Sequence, residues 1–416
     1  MALSSLPLEL FGIIASSIDT LSFFALRQTS RYVEAHTRAL FRHRYFSTRA
    51  VMMYEPSLQN LLEVSRHEEY RTYVKKIIVC LDHIPEIPAA IMYNEMRLDN
   101  FGDFEQLDDV SGLRKQKSFK ASGIATHYLS LAFSQPNLSE IIVSDTRIPW
   151  AARSLRRKTG LRMVSSLANT IDFTFIHAII QATIMAIYTS SVQVALHINI
   201  GVADESIWPD LLVVPDVAAR FIRQQPKGVT ELSLSVSSSS QDKRRIWIDD
   251  FLSFVNLFAR LESLDLGFNT VDEHLRFPNI AQRAFFPHLR VLMLGFIQCT
   301  KEDLMQMVFR HKATLKELVL TRIELPTGTK SWPLLLEAVL DTDSTLERVI
   351  LEECLEGDLM LYSSGTAGLV NFEVSKTGSW RSHRKARRTD FEGRAKVHSV
   401  VELLNLYAFV FSSPHF

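Results

Sequence analysis

Down the second half of the chain, apolar residues recur in one spacing: Leu261-x-x-Leu264-x-Leu266, Leu289-x-x-Leu292-x-Leu294, Leu315-x-x-Leu318-x-Leu320 and Leu346-x-x-Val349-x-Leu351. Weaker relatives stand at Val229-x-x-Leu232-x-Leu234 and Leu138-x-x-Ile141-x-Val143. The last two apolar positions of each motif alternate, which is the period of a strand with one face buried. From middle position to middle position (232, 264, 292, 318, 349) the spacing is 32, 28, 26 and 31 residues. Between the motifs, 249–260 (Phe251, Leu252, Phe254, Val255, Phe258), 301–311 (Leu304, Met307, Val308) and 334–340 carry apolar residues at helical spacing. The pattern predicts an α/β chain of repeating strand and helix, with the helices covering the apolar side of a parallel strand ladder.

This spacing resembles the leucine-rich repeat, whose period is slightly shorter and more regular. Eight residues after Leu261 and Leu346 stand Asn269 and Cys354, where such repeats place the residue that bonds the turn backbone; Ile297 and Ile323 occupy the equivalent places in the other two repeats. The resemblance implies a solenoid over 49–416 with a protein-binding face.

A different pattern fills the first 45 residues. Pro7 suits the first turn of a helix, where its missing donor would be unpaired anyway. At about 100° per residue, Leu10, Ile14 and Ile18 form one ridge and Leu8, Phe11 and Ala15 an adjacent one, with Glu9, Gly12 and Ser16 on a polar strip. The apolar arc, roughly 160°, is wider than one buried side needs. Two packing surfaces are therefore expected. Ser22 is the expected N-cap of a second helix, and a third runs from Ser30 into Phe41-Arg42-His43-Arg44-Tyr45. Three short helices make a very small core, which predicts a docking module that leans on another surface.

The residues Leu6-Pro7-x-Glu9-Leu10-Phe11-x-x-Ile14-Ala15-Ser16-x-Ile18-Asp19, then Phe23-x-Ala25-Leu26-Arg27-x-x-Ser30-Arg31, resemble an F-box. Thr29 and Tyr32 depart from the family's usual valine and tryptophan. The resemblance covers 1–48 and implies docking on a Skp-type adaptor, and through it on a cullin-RING ubiquitin ligase, while the solenoid holds a protein substrate. It implies Leu6, Pro7, Leu10, Ile14, Ile18, Phe23 and Leu26 as the adaptor face or its immediate support. The alternatives are a scaffold or regulatory complex without ubiquitin transfer, or a repeat-based binding module or hydrolase whose N-terminal match is accidental.

Elsewhere the pattern predicts helices over 57–67 and 126–133 and strands over 73–81 and 138–144. The apolar window 171–194 carries Asp172, His177 and Gln181 and predicts a buried helix followed by a strand, not a membrane span. The charge-blocked 99–122 and the polar stretches 237–245 and 326–333 predict loops, with Trp332 either plugging the core's rim or standing out as a binding anchor. Basic residues crowd 381–388, which predicts a solvated loop or a polyanion or nuclear-import patch, and 396–411 predicts a closing helix.

Composition narrows the function classes. Of 416 residues, 47% are hydrophobic and 22% charged, which is a globular balance. Lys+Arg and Asp+Glu are equal at 46 each, so no global field favours nucleic acid or a membrane surface. Cys80, Cys299 and Cys354 have neither disulfide nor zinc spacing; buried structural thiols in a cytoplasmic or nuclear setting are expected. A leading secretory segment is not expected, because Glu9 interrupts the apolar run and no basic stretch precedes it. No nucleophile elbow, phosphate-cradling glycine loop or His-Glu-x-x-His motif is present. The expectation is a non-catalytic protein without cofactor or metal, in which His177 and His197 are hydrogen-bonded core residues.

Overall fold

The computed structural model describes residues 8–81, 122–144, 173–200, 209–236, 247–268, 277–326, 331–339, 345–352, 354–356, 359–360, 371–375, 380–383 and 389–391. Strands β1 (Thr48–Met52), β2 (Lys76–Cys80), β3 (Glu140–Ser144), β4 (Val194–Asn199), β5 (Val229–Val236), β6 (Ser263–Phe268), β7 (Val291–Gln298), β8 (Glu317–Leu325) and β9 (Arg348–Glu352) stand side by side in chain order. Every pairing among these nine is parallel. The chain is thus α/β, with a helix between each successive pair of these strands.

The recurring motif fixes the register. Ile77, Ile141, Leu196, Leu232, Leu264, Leu292, Leu318 and Val349 are cross-strand neighbours in one line. Val79, Val143, Ile198, Leu234, Leu266, Leu294, Leu320 and Leu351 make a second line two residues on, and all sixteen side chains are buried. A slip of one residue would turn these lines into solvent, so the apolar alternation itself specifies the pairing.

The helices Glu55–Arg66, Ile124–Phe133, Phe173–Ser190, Asp216–Gln224, Trp247–Val255, Phe277–Arg283, Lys301–Arg310 and Ser331–Val339 lie between successive strands. Their buried side chains and the two strand lines form one contiguous core from Val51 to Cys354. Phe251, Phe254, Val255 and Phe258 enter it from a single helix and the turn after it. Fully burying one such side chain contributes about 1.5–3 kcal/mol. Helix Lys301–Arg310 starts at a reciprocal cap: Thr300 Oγ1 accepts the Asp303 N–H at 3.2 Å, and Asp303 accepts the Thr300 N–H at 3.1 Å.

Several expectations need correction. The stretch 326–333 is not loop to its end: the helix begins at Ser331, Pro333 falls in its first turn where a proline costs no hydrogen bond, and the Trp332 indole is buried in the core, the first of its two expected placements. Helix Phe277–Arg283 was not expected, because Pro278 looks like a breaker until it is seen in the first turn. Strand β1 was not expected either. After β9, Leu355–Glu356 pairs parallel with β8 and antiparallel with Leu359–Met360, and Asn371–Ser375 then lies antiparallel beside β9, with Trp380–His383 and Thr389–Phe391 following. Arg381 to His383 of the basic run therefore lie on a strand, while 384–388, the closing helix at 396–411, the charge block at 99–121, the polar stretch 237–245 and Asn269 lie outside the described residues.

Near their ends β7 and β8 kink together. Phe296 and Arg322 both adopt left-handed backbone, φ 59° and 53°, between the register pairs Gly295↔Thr321 and Ile297↔Ile323. The kink shifts the alternation by one, so Ile297 and Ile323 point inward again. Outside, the Arg322 guanidinium lies 5.0 Å from the Phe296 ring centre.

Candidate functional site

The three N-terminal helices are α1 (Leu8–Ser17), α2 (Thr20–Gln28) and α3 (Arg31–Phe46). Asp19, not Ser22, caps α2: its carboxylate accepts the N–H groups of Leu21 and Ser22 at 2.9 and 3.0 Å and the Ser22 hydroxyl. The Ser22 hydroxyl foremost holds that carboxyl below the usual aspartate range. Ser30 caps α3 through Val33 N–H at 3.2 Å, at the place where the sequence starts the third helix.

Phe11, Ala15, Phe23 and Val33 form the buried interior of this unit, and none of them belongs to the large core that begins at Val51. The Thr37 hydroxyl is buried among them and satisfied by the Val33 carbonyl at 2.7 Å. Arg44 of α3 donates to the Ile18 carbonyl at 3.0 Å, tying down the end of α1. Arg27 lies 3.7 Å over the Phe41 ring, and burial pushes its pKa down. The unit meets the sheet through α3: Phe46 stacks on Tyr70 at 4.2 Å, Arg42 pairs with Glu69, and the Ser47 carbonyl accepts the N–H groups of Lys75 and Lys76.

Of the two surfaces expected on α1, one faces this small interior through Phe11 and Ala15. The other faces solvent: Leu10 is 49% exposed, Ile13 63% and Ile14 40%, and α2 adds Leu21 at 81% and Phe24 at 40%. Exposed apolar side chains on two successive helices are a candidate for an interaction surface. Among the predicted residues, Leu10 and Ile14 stand on it, Ile18 and Leu26 are half-buried, and Phe23 is wholly interior and acts as support. Leu6 and Pro7 lie outside the described residues. Ile13, Leu21 and Phe24 were missed. Ile13 was legible as the i+3 neighbour of Leu10, but Leu21 and Phe24 needed the true cap of α2 to be placed.

The second candidate surface is the sheet face opposite the helices. Glu140, Glu231, Asp265, Glu317 and Glu352 lie on it with Lys76 and Arg348. Lys76 pairs with Glu140 at 2.7 Å, and Arg348 with Glu317 at 2.9 Å. Asp265 accepts the Ser233 hydroxyl at 2.8 Å, and Glu352 that of Thr321 at 3.2 Å.

Among the described residues no three of His, Cys, Asp and Glu converge on a metal position. All three cysteines are buried thiols outside any disulfide; burial pushes the Cys354 thiol up to about 12 and raises Cys299 well above its ordinary value. Cys354 Sγ donates to the Leu320 carbonyl at 3.3 Å. His177 donates from Nδ1 to the Leu211 carbonyl at 3.0 Å, whereas His197 is on the open sheet face, 3.6 Å from Glu140, and not in the core as expected. The shallow cleft lined by Glu262, His288, Arg290, Lys316 and Thr345 is polar, and its cations face Glu262 and Glu347. Among the described residues no helix is long and apolar enough to cross a membrane. No protein-family model matches the chain, and no curated protein matches it.

Proposed function

We propose that the chain is an F-box-type receptor: its N-terminal helices dock on a Skp-type adaptor, and its leucine-rich-repeat-like solenoid presents a protein substrate to a cullin-RING ubiquitin ligase. The observation that carries this reading is the exposed set Leu10, Ile13, Ile14, Leu21 and Phe24 on a unit whose buried interior, among the described residues, is Phe11, Ala15, Phe23, Val33 and Thr37. So small a core leaves a large apolar surface in water unless a partner covers it. The solenoid half of the proposal is supported by nine parallel strands in strict chain order, with an α-helix between each successive pair. Cys354 supports it too, because its thiol bonds a backbone carbonyl at the place where the repeat's turn residue would stand. Function then comes from proximity: substrate is held near the ubiquitin carrier at high effective concentration, and the chain performs no bond chemistry.

The test is capture of a purified Skp-type adaptor by the full chain, wild type against Leu10→Asp/Ile14→Asp. Both side chains are exposed, so the substitutions leave the fold intact, and circular dichroism checks that they do. Capture by wild type and its loss in the variant support the reading. Wild type that fails to capture the adaptor overturns it, and substrate-dependent ubiquitin transfer separates a ligase receptor from a regulatory complex.

A further inference from the structure

The sheet face opposite the helices has a chemistry of its own. Ser233, Asp265, Met293, Val319 and Ile350 are cross-strand neighbours in one line across β5–β9. Met293, Val319 and Ile350 are half-buried and belong neither to the core nor to the partly buried side chains packed on it. With strands about 4.8 Å apart, these three span about 10 Å, the length of about three extended residues. Beside them runs a second line, Ser235, Gly267, Gly295 and Thr321. A Cβ added at Gly267 would meet Ser235 Oγ at 3.5 Å, an ordinary contact, so packing does not demand glycine there. Gly267 puts no side chain on the face two residues from Asp265.

The charge on this face is one-sided. Along β2–β9 its described acids are Glu140, Glu231, Asp265, Glu317, Glu324 and Glu352, against the bases Lys76, Arg322 and Arg348; Lys76 and Arg348 already sit on acids, and Arg322 lies over the Phe296 ring. Asp265 takes its 2.8 Å hydrogen bond from a neutral hydroxyl, which leaves its negative charge in place. Glu231 is exposed one strand away.

We propose that the open face of β5–β9 binds an extended, positively charged peptide segment, whose cationic side chains meet Asp265 and Glu231 and whose apolar side chains lie on Met293, Val319 and Ile350. This rests on the reading of the sheet as the substrate side of a receptor and names the class of substrate. Charge complementarity selects the occupant: an acidic segment would meet like charge, and a second copy would bring the same acidic face.

The probe is a short fluorescent peptide alternating lysine and leucine, measured by anisotropy against the full chain, with a glutamate-leucine counterpart and a lysine-glycine counterpart. The lysine-leucine peptide is expected to bind best and to weaken as salt rises. Asp265→Asn/Glu231→Gln should weaken it about tenfold. Gly267→Val, which sets a branched side chain and good strand former on the face beside Asp265, should weaken it at least as much while thermal unfolding shows the fold retained. Equal binding of the acidic peptide, equal binding of the lysine-glycine peptide, or variants that bind as wild type does would each overturn the proposal. Adaptor capture is scored on the same variants. A chain that captures adaptor but not peptide sinks this inference alone, and one that binds peptide but not adaptor sinks the receptor reading alone.

Discussion

His311 Nε2 accepts the backbone N–H of Phe286 at 3.0 Å while its Nδ1 donates to the Met307 carbonyl at 2.8 Å. The ring is buried and stacked near Phe285 and Phe286, with centroids 5.9 and 5.7 Å away. It joins the turn before β7 to the end of helix Lys301–Arg310, and it can do so only while neutral, because a protonated Nε2 cannot accept.

That geometry gives a pH dependence with a definite sign. Burial, foremost, lowers the His311 pKa below its ordinary 6.5 in the folded chain. A histidine depressed on folding contributes stability that is present above the unfolded value and is lost as pH falls through 6.5 toward the folded one. Urea unfolding at about pH 7.5 and about pH 5 should show this loss. In His311→Ala the Phe286 N–H is stranded, at a cost of about 1–3 kcal/mol near neutrality. The gap between wild type and variant should narrow at the lower pH; a gap that widens contradicts the assignment.

Neighbouring residues of the N-terminal unit should separate fold from surface. Phe23→Ala empties the small interior and should cost about 3–5 kcal/mol. Leu10→Asp and Ile14→Asp touch exposed positions and should each stay within about 0.5 kcal/mol. Thermal unfolding measures all three, and a Leu10→Asp chain as unstable as Phe23→Ala would mean that the exposed ridge is packed.

The strand alternation can be tested on two adjacent side chains of β7. Leu292 is buried and Met293 is half-exposed on the opposite face. Leu292→Ala should cost about 2–5 kcal/mol, and Met293→Ala well under that. Reversal of the order would place the ladder one residue out of register.

The thiols should be silent in the folded chain. Cys80, Cys299 and Cys354 are buried, and Cys354 is held at about 12 by desolvation, so the nucleophilic thiolate is scarce. A thiol reagent should label none of the three before urea is added and all three afterwards. Rapid labelling of Cys354 in the native chain would overturn its placement.

Legibility in the sequence followed contact range. Leu264, Leu292, Leu318 and Val349 repeat closely enough to expose β6–β9 and their register. The same line continues through Leu196 and Ile77, but Gln193 replaces the leading apolar residue of the β4 motif, and no comparable motif lies within a repeat's length of Ile77. The amphipathic arc of α1 foretold two surfaces, but it could not say that Phe11 and Ala15 take the inner one. The cap of α2 was misread because Asp19 and Ser22 are both good caps and hydrogen-bond each other. His311 was overlooked because its partner Phe286 is 25 residues away and is reached through a backbone N–H, which leaves no side-chain signature.

The strict chain order of the ladder also bears on how long its connections can grow. Aligned residues are 64 apart from Ile77 to Ile141 but 26 apart from Leu292 to Leu318, and the pairing is parallel in both cases. Because the entropy of closing a loop rises only with the logarithm of its length, the longer return costs about 0.8 kcal/mol more than the shorter. Each return is closed by its own neighbouring strands, so the extra length is borne locally. Connections between strands are therefore places where whole segments can be gained or exchanged while the register beneath them stays fixed.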